Sequence, residues 1–172
     1  VDPAFSGYIS AFTSGTISSK STIRILLTEE SSTKHELNTP VEEELFDFDP
    51  DIKGKTVWID NRTIEFRPEN MMTPGQEYSA TFYLGKVMEV HSNLSEFEFV
   101  FDVMKQDFEV YVDGIKTTDK QKMIWQRVFG TLATADEADN NVIEKILSAE
   151  QNGKKLKISW EHGADINKHR FT

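Results

Sequence analysis

Short runs of alternating apolar and polar residues constrain this chain more than any other feature of its sequence. Between residues 97 and 103, four apolar side chains alternate with Glu98, Val100 and Asp102. A period of two puts alternate side chains on one face of a β-strand, as the half-buried strands of antiparallel sheets require. We predict further strands at 8–13, 22–27, 56–60, 63–66 and 77–84.

The segments between these strands carry turn signals. Asn61-Arg62 separates two apolar runs and predicts a hairpin, and Pro74-Gly75 suits the central positions of a type II turn. Residues 28–44 are polar and acidic, contain Pro40 and predict a loop. Six or seven short strands with regular turns predict a mainly β fold in which residues 1–105 form an immunoglobulin-like β-sandwich.

Residues 106–172 predict a smaller β-rich unit with one α-helix. Residues 108–112 alternate as a strand, and 123–132 fit either a strand or a helix. Gly130 favours the strand, with a bulge. Two further strands are predicted at 156–161 and 169–172, and we leave open whether the second unit is complete.

The helix of the second unit is predicted at about 137–151. Thr134 or Asp136 is its expected N-cap, and Asn152-Gly153 is expected to end it with a left-handed C-cap. Its buried stripe consists of apolar residues at helical spacing: Val142, Ile143, Ile146 and Leu147.

Charge and composition exclude several classes of partner and chemistry. The 172 residues include 19 Lys and Arg against 29 Asp and Glu, which gives a net charge of −10. Such an acidic surface repels nucleic-acid phosphates and anionic membranes, so we expect neither as a partner. The absence of cysteine excludes disulfides, thiolate metal sites, Cys nucleophiles and thioesters within this chain.

No motif in the sequence predicts catalysis or a bound cofactor. Asp47, Asp49 and Asp51 alternate as in a calcium loop, but Ile52 and Trp58 stand where an EF-hand needs Gly and Glu, so a solvated acidic turn is predicted. The four histidines lack metal-binding or triad spacing. We therefore expect no catalytic, cofactor-binding or metal-binding residues, no cofactor and no enzyme activity.

Two groups of side chains leave other interpretations open. His162 and His169 lie near each other in the sequence, and surface positions are the ordinary expectation for both. Trp58, Trp125 and Trp160 lie in or near apolar runs, which indicates core packing. An exposed strip of aromatic side chains would instead favour carbohydrate binding.

Several short motifs follow one another in a distinctive order. They are YISAFTSGTI at 8–17, IKGK at 52–55, NRTIEFRP at 61–68, MTPGQEY at 72–78 and GTLATAD at 130–136. Together they resemble the N-terminal macroglobulin-like domains of bacterial alpha-2-macroglobulin family proteins of the Bacteroidetes type. With the segments at 156–160 and 169–172, the resemblance extends over nearly the whole chain.

The resemblance implies a part of a large cell-envelope protein that traps proteases. In that family, cleavage of a bait region triggers collapse around the protease, and many members then acylate it through a Cys-x-Glu-Gln thioester. Here Ser148 stands in the place of the thiol in Ser-Ala-Glu-Gln, and a hydroxyl cannot form the thioester. The match is therefore read as a coincidence.

The implied role of this chain is a non-catalytic scaffold. Its partners would be downstream domains of the same chain and the target proteases of the whole protein. The implied location is the periplasm or cell envelope, with anchoring through a lipoprotein segment upstream. The alternative function is a stand-alone Ig-like binding or adhesion module of a surface protein, for which carbohydrate is one candidate ligand.

Overall fold

The computed structural model describes residues 2–119, 121 and 124–172. The chain divides into two compact units, Val1–Met104 and Lys105–Thr172. Within the described residues, no helix has both the length and the apolar character needed to span a membrane.

The described part of the first unit contains eight strands. In chain order they are β1 (Ile9–Phe12), β2 (Gly15–Ile17), β3 (Ile23–Leu27), β4 (Phe46–Asp49), β5 (Gly54–Trp58), β6 (Thr63–Pro68), β7 (Glu77–Phe82) and β8 (Phe97–Val103). Short 3-10 helices span Pro3–Gly7, Leu84–Lys86 and Ser92–Leu94.

These strands form two four-stranded sheets that enclose one core. One sheet has the order β1-β3-β6-β5, and the other has the order β2-β8-β7-β4. Neighbouring strands are antiparallel except β2 and β8, which are parallel. The alternating residues of β8 are buried on its inner side, where Phe97 meets Phe12 of the opposite sheet at 5.0 Å between ring centroids. The mainly β class and the sandwich predicted from the alternation are confirmed.

Both predicted turns of this unit are present. β5 and β6 pair in an antiparallel hairpin around Asn61-Arg62. Gly75 has φ +75°, and the amide of Gln76 bonds the carbonyl of Thr73, as a type II turn requires. The Tyr78 hydroxyl then accepts a hydrogen bond from the Thr73 amide at 3.2 Å and holds the turn against the following strand.

The prediction of an acidic turn at residues 47–51 is wrong in its first half. Phe46–Asp49 is strand β4, which pairs with β7. Its two Phe side chains are buried, and Asp47 and Asp49 point to solvent. The two carboxylates thus lie on the outer face of an edge strand. The alternation of Asp with Phe determines the conformation of this segment more than the charge of the carboxylates does.

The second unit is built around one antiparallel sheet. Its strands are β9 (Phe108–Thr117), β10 (Gln126–Thr134), β11 (Ala149–Gln151), β12 (Lys154–Leu156), β13 (Trp160–His162) and β14 (Lys168–Phe171). The main sheet has the order β13-β14-β10-β9, and β11 and β12 form a separate hairpin. The register of β9 on β10 shifts between Phe129 and Gly130, so the predicted bulge is confirmed, and the predicted strand is confirmed from Gln126 onward. Residues 124–125 precede the strand, and Met123 lies outside the described residues.

The predicted helix at 137–151 is wrong in its extent. The α-helix, α1, spans only Asn140–Ile143 and has Asp139 as its N-cap. Asn152 and Gly153 both have positive φ, 50° and 75°, because they form the two-residue turn of the β11–β12 hairpin. Asn-Gly with two left-handed residues is the preferred hairpin turn, and here that preference prevails over a helix C-cap.

The predicted strand at 156–161 is divided in two. Leu156 ends β12, which pairs with β11, whereas Trp160 begins β13, which pairs with β14. The chain changes partner between them, so residues 157–159 belong to neither strand.

Candidate interaction surface

The pairing in the second unit sorts its side chains onto two unlike faces. Opposite residues in antiparallel strands share a face, so Val110 lies beside Leu132 and His169. At the bulge, Asp113 is an extra residue in β9. Ile115 therefore lies on the same face as Val110, opposite Val128. This apolar face also carries Phe108, Val112, Trp160 and Phe171.

Much of the apolar face is exposed along its β9 side. Phe108, Val110, Val112, Ile115 and Val128 are between 40% and 67% exposed. Among the described residues of this unit, the buried apolar side chains are Leu132 and Ile143. A contiguous set of exposed β-branched side chains is a feature of protein-contact surfaces rather than of solvated ones.

An open groove adjoins this face. It has a volume of about 820 Å³ and is lined by Val110, Val128, Leu147, Leu156, Ile158 and Phe171, among others. The lining is mostly apolar, so the groove extends the contact surface of the sheet.

A pair of histidines lies at the other end of the same face. The Nδ1 atoms of His162 and His169 are 2.8 Å apart, and His162 Nε2 lies 3.2 Å from a Glu144 carboxylate oxygen. His169 is 2% exposed, contrary to the surface position expected from sequence. Its Nε2 has no hydrogen-bond partner among the described residues.

Burial lowers the pKa of His169 below its ordinary value of 6.5, and the nearby His162 lowers it further. Asp165 acts in the opposite direction but more weakly. Burial and the neighbouring His162 therefore both favour the neutral form of the His169 imidazole, which suits a structural role inside the sheet.

The structure places the three tryptophans in different environments. Trp58 is buried in the first core, so that prediction is confirmed, and it stacks on His35 with 3.9 Å between ring centroids. Trp125 is 71% exposed, so the core position predicted for it is wrong. Trp160 is half-buried and packs on Phe171 at the groove.

Other sequence candidates do not converge on a site. Within the described residues, no three His, Asp or Glu side chains are grouped closely enough to hold a metal ion. Glu150 and Gln151 of the Ser-Ala-Glu-Gln segment lie in the β11–β12 hairpin rather than on a helix.

Sequence reasoning missed the exposed apolar face. The alternation of Phe108, Val110 and Val112 was visible in the sequence, but nothing in it showed that these side chains would remain uncovered. In comparisons with known proteins, no family model matches the chain, and no curated protein is significantly similar to it.

Proposed function

We propose that this chain is a non-catalytic scaffold of a cell-envelope alpha-2-macroglobulin-like protease inhibitor. The whole protein would trap proteases, and downstream domains of the same polypeptide would pack on the second unit. The observation that carries the proposal is the exposed apolar face of the β9–β10 sheet, with side chains such as Val112 at 67% exposure. Leaving such a face in water is unfavourable by about 25 cal/mol per Å² of apolar surface, so a protein layer that covers it is stabilising.

The motif order from residue 8 to residue 136 supports the same proposal, because it resembles the N-terminal domains of that family. The net charge of −10 agrees with a protein partner better than with a nucleic acid or an anionic membrane.

The test begins with the reading frame on both sides of this sequence. We expect a lipoprotein signal before Val1 and a very long frame after Thr172 that encodes Cys-x-Glu-Gln. The product of that frame, once treated with trypsin, should block digestion of a large protein substrate and spare cleavage of a small chromogenic peptide. The 172-residue chain alone is the control and should block neither reaction.

Two outcomes would contradict the proposal. One is a stop codon soon after the codon for Thr172. The other is a full-length product that leaves trypsin equally active on the large and the small substrate.

The exposed Trp125 favours a second candidate, a carbohydrate-binding adhesion module. The residue is 71% exposed, and exposed aromatic rings stack on the apolar faces of sugars. A glycan array probed with the native chain and with Trp125→Ala tests this function. Binding that the substitution abolishes would support it, and no binding to any glycan would exclude it.

A further inference from the structure

Strand β9 is the edge of the second sheet and has only β10 as a partner among the described residues. It is ten residues long, and its outer edge presents backbone amides and carbonyls along its length. Edge strands that are long and apolar are templates for pairing with another strand, and proteins usually shorten or charge them. The residues of β9 indicate which partner fits this edge.

The sequence of β9 is complementary to itself in one antiparallel register. If Val112 lies opposite Val112 of a second copy, then Val110 lies opposite Ile115, since the bulge removes Asp113 from the alternation. Both pairs fall on the apolar face. β-Branched side chains directly opposite each other are favourable cross-strand pairs.

The same register pairs opposite charges on the polar face. Glu109 of one copy lies opposite Lys116 of the other, and symmetry forms this pair twice. Tyr111 would lie opposite Gly114, where an aromatic ring covers the backbone that glycine leaves open. From Glu109 to Lys116, each residue of the strand other than the bulge residue Asp113 thus meets a suitable partner.

Contacts inside one copy are compatible with this arrangement. The Tyr111 hydroxyl donates a hydrogen bond to Glu109, which holds that carboxylate on the polar face. Asp113 Oδ2 accepts a hydrogen bond from the Thr131 hydroxyl at 2.8 Å, which turns this carboxylate back over β10 and away from the edge. The ammonium of Lys116 lies 5.0 Å from the centre of the Phe129 ring on the same face.

We infer that β9 is a homodimerisation edge at which two copies of this chain pair antiparallel about Val112. The two main sheets would join into one eight-stranded sheet with the order β13-β14-β10-β9-β9-β10-β14-β13. The inference goes beyond the proposed scaffold role, because it concerns the edge of the sheet and a second copy of the chain.

The first experiment is sedimentation equilibrium of the 172-residue chain at about 0.15 M salt, where charges more than about 8 Å apart are screened. We expect a concentration-dependent mass that rises toward twice 19.7 kDa. Lys116→Glu places two acids opposite each other at both ends of the pair and should raise the dimer dissociation constant about tenfold.

Reversing the charge at both positions tests whether Glu109 and Lys116 pair directly. The double variant Glu109→Lys with Lys116→Glu restores opposite charges, so its dissociation constant should return to within about threefold of the native value. Lys34→Glu, on an exposed loop of the first unit, is the matched control and should leave the mass distribution unchanged.

Cysteine cross-linking tests the register in a chain that has no cysteine of its own. Val112→Cys should form a covalent dimer under mild oxidation, because each Cys lies opposite its own symmetry mate. Val142→Cys is similarly exposed, at 58% against 67%, and is the control. A monomer at all concentrations, or cross-linking of Val112→Cys no faster than of Val142→Cys, would overturn the inference.

Discussion

At the scale of single residues, Glu65 is a carboxylate that folding buries and yet keeps ionised. It lies on β6, is 2% exposed and accepts hydrogen bonds from Arg24 Nε at 2.5 Å, Arg67 Nε at 2.6 Å and Thr22 Oγ1 at 3.0 Å. Burial by itself would raise the pKa of Glu65, but the three donors together lower it below its ordinary value. The ionised form therefore stabilises the folded state.

Replacing Glu65 with Gln tests this account. We expect a loss of about 2 kcal/mol in the free energy of unfolding at pH 7, because charged hydrogen bonds to two guanidinium groups are lost. Since a depressed pKa gives stability that disappears on protonation, the native chain should lose this contribution as the pH falls below 4.5. Urea denaturation at pH 7 and at pH 3 measures both effects.

The control for that measurement is Glu98→Gln on the exposed side of β8, which should change stability by less than about 0.5 kcal/mol. Two outcomes would contradict this account of Glu65. One is an equal loss of unfolding free energy in both variants, and the other is a loss in Glu65→Gln that is the same at pH 3 as at pH 7.

His169 should make the second unit sensitive to acid. Its pKa is depressed on folding, so the unfolded chain takes up a proton first as the pH falls through 6.5, and protonation opposes folding. We expect protection from hydrogen exchange in β10 and β14 to decrease between pH 7.5 and pH 5.5 after correction for intrinsic exchange. His169→Asn should remove this dependence, whereas His91→Asn, at an exposed position, should retain it.

Direct titration gives the decisive comparison for His169. An NMR titration in which the His169 ring protonates at or above pH 6.5 would contradict the expected decrease. The two titratable groups that act on the pKa of His169 are His162 and Asp165, and both are intact in the His91 control.

At the scale of elements, Gly130 fixes the sheet of the second unit at its bulge. A Cβ at this position would meet the Phe171 ring at 2.1 Å and the Tyr111 carbonyl at 2.5 Å, so neither neighbouring strand could keep its place. Gly130→Ala should destabilise the sheet by about 1–3 kcal/mol, measured as lost protection of amides in β10 and β14. Gly163→Ala, whose Cβ would meet nothing within 4 Å, should have no effect.

Strands with a buried face could be predicted from the sequence because alternation determines both their conformation and their core side. β8 is the clearest case, and every second residue of it is buried as expected. The segment at 137–151 was mispredicted because its apolar residues have helical spacing, while Asn152-Gly153 also fits a hairpin turn. Local patterns cannot decide between a helix and a hairpin here, since the conformation of this segment depends on the pairing of β11 with β12.

The candidate surface was harder to predict than the fold. Val110 and Phe99 occur in similar alternating runs, yet one is 40% exposed and the other is buried. The difference arises from whether a second sheet lies over the strand, and that is a property of long-range packing rather than of the run itself. Likewise, the spacing of seven between His162 and His169 did not show that their rings meet.

At the scale of the whole molecule, the two units differ in how much apolar surface they bury. Among the described residues, the first unit has a core of 21 buried residues, whereas the second has Leu132 and Ile143 as its buried apolar side chains. Burial of one such side chain contributes about 1.5–3 kcal/mol, and ordering each residue of backbone costs about 1–2 kcal/mol. The second unit is therefore the less able of the two to fold alone.

Separate expression of residues 1–104 and 105–172 tests this difference. At low micromolar concentration, 1–104 should unfold cooperatively on heating, and 105–172 should show no cooperative transition by circular dichroism. A cooperative transition of 105–172 at any temperature would contradict the expectation.

The parallel pairing of β2 with β8 has a mechanical consequence for the first unit. Gly15, Thr16 and Ile17 lie opposite Phe101, Asp102 and Val103. Tension applied to this pair at Gly15 and at Val103 pulls the two strands in opposite directions along their length. The hydrogen bonds between β2 and β8 then bear the load simultaneously instead of breaking one after another. This strand pair therefore resists tension in shear.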